Sequence, residues 1–205
     1  MTSLKKQRIK TVMKYTWPFY IVSAIIIAIL LSIIFNVAHP LAAYKKLTIF
    51  VSGQVIDSKK LEDDLTTKYQ DKELKSVETI SVLETDPTFS TKLTVAGYSS
   101  ADIIIVSQSE MANRSPSIYG LELDDEILNS YFNDLVVYTE EIEGKEVGLA
   151  ILLDKDIVKD YITLGEGSYY MVLNANSENL GQYSNSQIKE HDLALKVVQD
   201  WGSHV

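Results

Sequence analysis

Residues 17–37 of this 205-residue chain read WPFYIVSAIIIAILLSIIFNV, a run without a single charged side chain. At about 1.5 Å of rise per helical residue, roughly 20 apolar residues match the ~30 Å hydrocarbon core of a bilayer. Such a run has three outlets: a transmembrane helix, the core of a cleaved signal peptide, or a helix buried inside a soluble domain. A signal-peptide core is usually about 7–15 residues, shorter than this one, and Ala42 and Ala43 beside Pro40 make a weak cleavage site. The expectation is an uncleaved transmembrane anchor over 17–37, in contact with the lipid bilayer. Five basic residues, Lys5, Lys6, Arg8, Lys10 and Lys14, precede it, and none of the first 43 residues is acidic. The positive-inside rule then makes residues 1–16 a cytoplasmic basic tail, with everything past about residue 40 outside the cell. Trp17, Phe19 and Tyr20 fall where an aromatic belt lies at the inner interface.

Beyond the anchor the balance of charge reverses. Of 19 Lys and Arg, 14 remain after residue 43 against all 28 Asp and Glu, a net charge of about −14. Such a surface repels phosphate backbones, which excludes nucleic acid as a natural partner. Arg114 is the one arginine past the tail, so no arginine cluster grips phosphates. About 160 residues suffice for one domain with a real core. With no cysteine in the chain, that domain holds together by packing rather than by disulfides, as bacterial surface proteins often do.

Residues 38–45 read as a short linker and 46–205 as a single domain. LTIFV at 47–51 is a buried strand by its β-branched and aromatic run, and Leu61, Leu65 and Tyr69 give a helix over 57–69 capped by Asp57 or Ser58. A second strand spans 77–83. Pro87 opens a helix to about Val95, and IIIV at 103–106 is a strand apolar on both faces, as in a covered parallel sheet. This β-α-β-α-β order predicts an α/β sheet with right-handed crossovers. Next come a helix over 124–132, a hairpin from 135–140 and 146–153, a helix over 155–164, a loop at Gly165-Glu166-Gly167 and a strand at 169–173. A last helix starts near Ser186, with Ile188, Leu195, Val198 and Trp201 on one face.

This ordered set resembles the extracellular solute-binding proteins of ABC transporters, of the periplasmic type. The carrying stretches are LTIFVSG at 47–53, SADIIIVSQSEM at 100–111, VVYTEEIEGKEVGLAILLDKDI at 136–157, and YYMVLNANSENLG at 169–181 followed by ALKVVQDW. In that family the third stretch leads across a hinge into a second lobe, and a late segment returns to finish the first. Here only 11 residues separate Ile157 from Tyr169, too few for another lobe. The resemblance implies one lobe of a type II periplasmic-binding-protein fold, α/β in class, carried on a membrane anchor.

In open α/β sheets ligands meet the loops at the carboxyl ends of strands. Those positions are Ser52, Gly53 and Gln54 after the first strand, Thr85 and Asp86 after the second, and Ser107 and Gln108 after the third. Ser and Gln there suit neutral polar ligands such as sugars or peptides, yet the same residue types also cap helices and make turns. Tyr98, Tyr119, Tyr138, Tyr169 and Tyr170 suit sugar stacking, and equally the packing of half-buried strands. The carboxylate runs 62–64, 124–126 and 154–156 lack calcium-loop spacing, and His39, His191 and His204 lack zinc spacing. No metal, cofactor or catalytic set is indicated. The expected function is a non-enzymatic, single-pass surface domain that docks on a membrane-protein partner, such as a transporter or sensor. The rivals are a degenerate receptor for a small polar solute, completed by self-association, and a cell-surface hydrolase.

Overall fold

A computed structural model describes residues 17–32 and 41–204, in two separate units divided after Leu41. The first contains helix α1 over residues 17–32. Among the described residues no helix is long and apolar enough to cross a membrane. The last five residues of the span expected over 17–37 lie outside the described residues, as do the tail at 1–16 and residues 33–40.

The second unit opens with a 3-10 turn, Ala43–Lys45, and strand β1, Lys46–Val51. The chain then runs through β2 (Gln54–Val55), α2 (Ser58–Lys68), β3 (Ser76–Ser81) and α3 (Phe89–Lys92), which continues as a wide π turn over Leu93–Tyr98. There follow β4 (Ile103–Ser107), α4 (Gln108–Asn113), α5 (Asp125–Tyr131), β5 (Val137–Ile142) and β6 (Lys145–Leu152). The last elements are α6 (Lys155–Val158), β7 (Ile162–Thr163), β8 (Tyr169–Leu173) and α7 (Leu193–Trp201). Six strands form one sheet in the order β3-β1-β4-β8-β6-β5, and β2 pairs with β7 in a second.

The α/β class is as expected, but the sheet is mixed. Strands β3, β1 and β4 are parallel, whereas β8 enters antiparallel between β4 and β6, and β5 continues the antiparallel half. Side-chain alternation explains the apolar runs. Leu47, Ile49, Val51, Ile103 and Ile105 face a large core with α2, α5 and α7. Phe50, Ile104 and Val106 face a smaller one with Phe89, Leu93 and Met111. Strands buried on both faces lose polar alternation whichever way their neighbours run.

Three expected elements change. The helix expected over 155–164 stops at Val158, because Ile162 and Thr163 are claimed by β2. The last helix starts at Leu193, not near Ser186: Gln187 has φ +53° and Ile188 lies outside the helical face. The second strand ends at Ser81, two residues early. The caps follow the sequence, with Asp57 Oδ1 accepting from the Lys60 amide and Asp124 Oδ1 from the Ile127 amide, each at 2.9 Å. The β5–β6 hairpin turns on Glu143 and Gly144, both at positive φ, as a two-residue loop requires.

A buried polar network fixes the late segment to the early one. Asp102 Oδ2 accepts from the Thr48 amide at 2.7 Å. Its Oδ1 accepts from Ser177 Oγ at 2.5 Å and Asn179 Nδ2 at 3.1 Å. Asn174 Nδ2 donates to the carbonyls of Tyr98 and Ala101 at 2.9 and 2.8 Å. Burial pushes the Asp102 carboxyl above its ordinary range, against the pull of its three donors.

Asp102→Asn places a donor where all three neighbours donate, and the expected loss is about 1–3 kcal/mol in urea unfolding. The elevated carboxyl sets the pH dependence. Asp102's protonated form contributes fully below its ordinary 3.8, and that contribution is lost as pH rises through the folded value. The stability gap between wild type and Asp102→Asn is therefore expected to widen toward acid.

Candidate functional site

The loops after β1, β3 and β4 converge at one end of the sheet and form a rim. Glu84, in the loop after β3, ties the other two together. Its Oε1 accepts from Ser52 Oγ at 2.9 Å and from the Ser107 amide at 3.2 Å. The Ser107 hydroxyl accepts from the Glu110 amide at 3.2 Å, which caps α4, and lies 2.7 Å from Ser109 Oγ. Ser52 and Ser107 are both buried, and the Ser52 amide donates to the Ile105 carbonyl at 2.8 Å. These hydroxyls are held by the protein itself.

Gly53 is glycine for a steric reason. A Cβ there would stand 2.8 Å from the Thr163 carbonyl oxygen and 2.9 Å from Leu164 Cδ2, closer than β2 and β7 permit. The Gly53 carbonyl accepts from Ser81 Oγ at 3.0 Å, and Gln54 pairs with Thr163. Asp86 turns inward on its own loop, accepting from the Thr88 amide and hydroxyl, each at 2.7 Å. Those donors hold its carboxyl below the usual range. Gln108 has an exposed side chain, while its amide donates to the Ser168 carbonyl at 3.0 Å.

The expected site residues therefore divide. Gly53, Gln54, Thr85 and Asp86 line one open groove of ≈ 330 Å³ with Ser81, Val82 and Leu83. Ser52 and Ser107 meet at Glu84 instead. Sequence reading passed over Glu84, although a carboxylate three residues beyond a strand was the available signal. The loop at Gly165-Glu166-Gly167 lies before β8 as expected, and its contacts were not legible in the sequence. There Lys155 Nζ donates to the Gly165 carbonyl at 2.7 Å and lies 4.8 Å from the Tyr169 ring centre. The Tyr169 hydroxyl accepts from the Gly165 amide at 3.1 Å, and burial pushes that phenol's pKa up.

The tyrosines considered as sugar platforms pack on one another. Tyr98 and Tyr119 stack with centroids 3.9 Å apart, and Tyr138 meets Tyr170 edge-on at 5.4 Å. His191 stacks on Tyr44 at 3.8 Å, and the backbone at His204 bridges to Leu135; neither belongs to the rim. Among the described residues no group of three or more His, Cys, Asp or Glu is placed to hold a metal ion. No family model, curated protein or solved structure matches this chain.

Gly53→Ala tests the close approach at the rim. The expected outcome is a loss of about 1–3 kcal/mol, measured in urea, with faster amide exchange at Val55 and Thr163. A variant as stable as wild type overturns the steric account.

Proposed function

We propose that the chain is a membrane-anchored, non-enzymatic extracellular domain that docks through its rim on a membrane-protein partner such as a transporter or sensor. The anchor is the charge-free run at 17–37, helical over residues 17–32, with five basic residues before it and none of opposite sign. The observation that carries the reading is the course of the chain after β6. In a two-lobed receptor this stretch leads away into the second lobe. Here it folds back as α6 and β7 onto β2. The Ile56 amide donates to the Tyr161 carbonyl at 2.7 Å, the Tyr161 hydroxyl donates to Asp64 Oδ2 at 2.7 Å, and Lys60 pairs with Asp160 at 3.2 Å. A lobe closed in this way has no opposing lobe to enclose a solute.

The surface chemistry supports a protein partner over a small polar ligand. Tight small-molecule sites bury most of the ligand and point a few free polar groups at it. The rim instead spends Ser52, Ser107 and Asp86 on internal bonds. Turned outward around it are Ile56 and Leu83, 58 % and 54 % exposed. Exposed apolar side chains beside satisfied polar groups fit a protein surface.

The test is recovery of the full-length chain from detergent-solubilised native membranes, with co-purifying proteins read by mass spectrometry. A reproducible membrane-protein partner is expected, and Ile56→Glu with Leu83→Glu is expected to reduce its recovery at least ~10-fold by removing the contact centre. Recovery of the wild-type chain alone, time after time, overturns the reading.

A further inference from the structure

Glu110 lies in the first turn of α4 and is only 9 % exposed. Its Oε1 accepts no hydrogen bond. Arg114, one turn later, places Nε 3.3 Å from that oxygen, an ion pair without hydrogen-bond alignment. The same guanidinium bonds Ser90 Oγ on α3. Thus the one arginine beyond the basic tail is spent between a buried carboxylate and the neighbouring helix.

A second carboxylate stands close by. Ser107 lies between them, its amide donating to Glu84 and its hydroxyl accepting from the Glu110 amide. Burial pushes the Glu110 carboxyl above its ordinary range; Arg114 and Asn113 oppose the shift, and the Glu84 charge adds to it. Tyr98 and Tyr119 face the same group from across the small core. Burial raises both phenols first, and the Glu110 charge raises them further. The charged groups acting on Glu110 are thus Glu84 from the β3 loop and Arg114 at the end of its own helix, while the two phenols face it as neutral groups.

We propose that Glu110 is a proton switch on the rim. Uptake of a proton removes its repulsion from Glu84, tightens the hold of Glu84 on Ser52 and Ser107, and breaks the ion pair that fastens Arg114. Acidification thus stiffens the ends of β1 and β4 and frees the end of α4. The sign follows from linkage. A folded carboxyl that holds its proton more tightly than the ordinary 4.5 stabilises the fold below that value, and the contribution is lost as pH rises through the folded pKa. The switch stands on the buried, unbonded Oε1 of Glu110 and its ion pair with Arg114; that it adjusts docking to external acidity rests on the rim-docking reading.

The experiment is amide exchange at Ser107 in the full-length protein in detergent micelles, between pH ~7.5 and ~4.5 and corrected for intrinsic rates. Wild type is expected to gain several-fold protection toward acid. Glu110→Gln, which is neutral at every pH and close in shape, is expected to be protected at every pH with no step. Arg114→Gln removes the countercharge and is expected to move the step to higher pH. A wild-type chain without a step, or a Glu110→Gln chain with the same step, overturns the switch. Should Glu110→Gln fail to fold, an unmoved midpoint in Arg114→Gln overturns it alone. No readout involves a partner, so failure here and failure of docking are separate results.

Discussion

The carboxylate of Asp102 is the point on which the domain's topology turns. Strand β1 is first in the domain and β8 nearly last, with β4 between them in the sheet. Asp102 begins β4 and reaches both sides, taking the Thr48 amide of β1 and the Ser177 and Asn179 side chains beyond β8. Its own carbonyl accepts from the Asn174 amide at 3.0 Å. Removing a carboxylate from water costs several kcal/mol unless donors replace the solvent. The network supplies three, and two of them, Ser177 and Asn179, are present only when the late segment has returned. A sequence-distant pairing, with a high loop-closure cost, is thereby tied to relief of a buried charge.

The chain between β6 and β8 closes the domain in a similar way. A sheet that ends in β6 with nothing after it would leave β2 and the apolar side of α2 uncovered. The chain between β6 and β8 covers both: β7 pairs with β2, and Val158 and Ile162 join the core containing Leu61 and Leu65. The close approach of Gly53 to Thr163 permits this pairing. The segment between β6 and β8 thus closes this side of the domain. At the rim the hydroxyls of Ser52 and Ser107 are already bonded within the protein, and Ile56 and Leu83 are left exposed beside them.

How far the chain itself revealed this depends on which force decided each element. Period and caps were enough where the hydrophobic effect acts locally: β1, α2, β4, α5 and the β5–β6 hairpin stand close to where the pattern of Leu, Ile and Asp put them. The failures lie where a long-range partner overrides local preference. Ile162 and Thr163 continue a helical pattern and still become a strand, because β2 offers hydrogen bonds that the helix would forfeit. Residues near Ser186 suit a helix, yet Gly181 at φ +60° and Gln187 at φ +53° bend the chain so that the His191 carbonyl accepts from the Gly181 amide at 2.9 Å. At the rim, Ser and Gly were legible as strand-end residues. Glu84 was not, since nothing in Leu83-Glu84-Thr85 announces that one carboxylate oxygen spans two other strand ends.

The two ends of the sheet use buried carboxylates in opposite ways. At the amino ends Asp102 faces three fixed donors, so both oxygens of its own carboxylate are bonded. At the carboxyl ends Glu84 takes the Ser107 amide while Glu110 pairs with Arg114, and an oxygen of Glu110 accepts no hydrogen bond. A saturated network rigidifies, whereas an unsaturated one retains a second arrangement at small cost in free energy. The adjustable pair lies beside the exposed face that a partner would meet, and the rigid one lies at the opposite end, where the late segment is joined. Both carboxyls hold a proton more tightly in the fold than free in water, Asp102 where the late segment joins and Glu110 at the rim, so acid favours the folded arrangement at both ends.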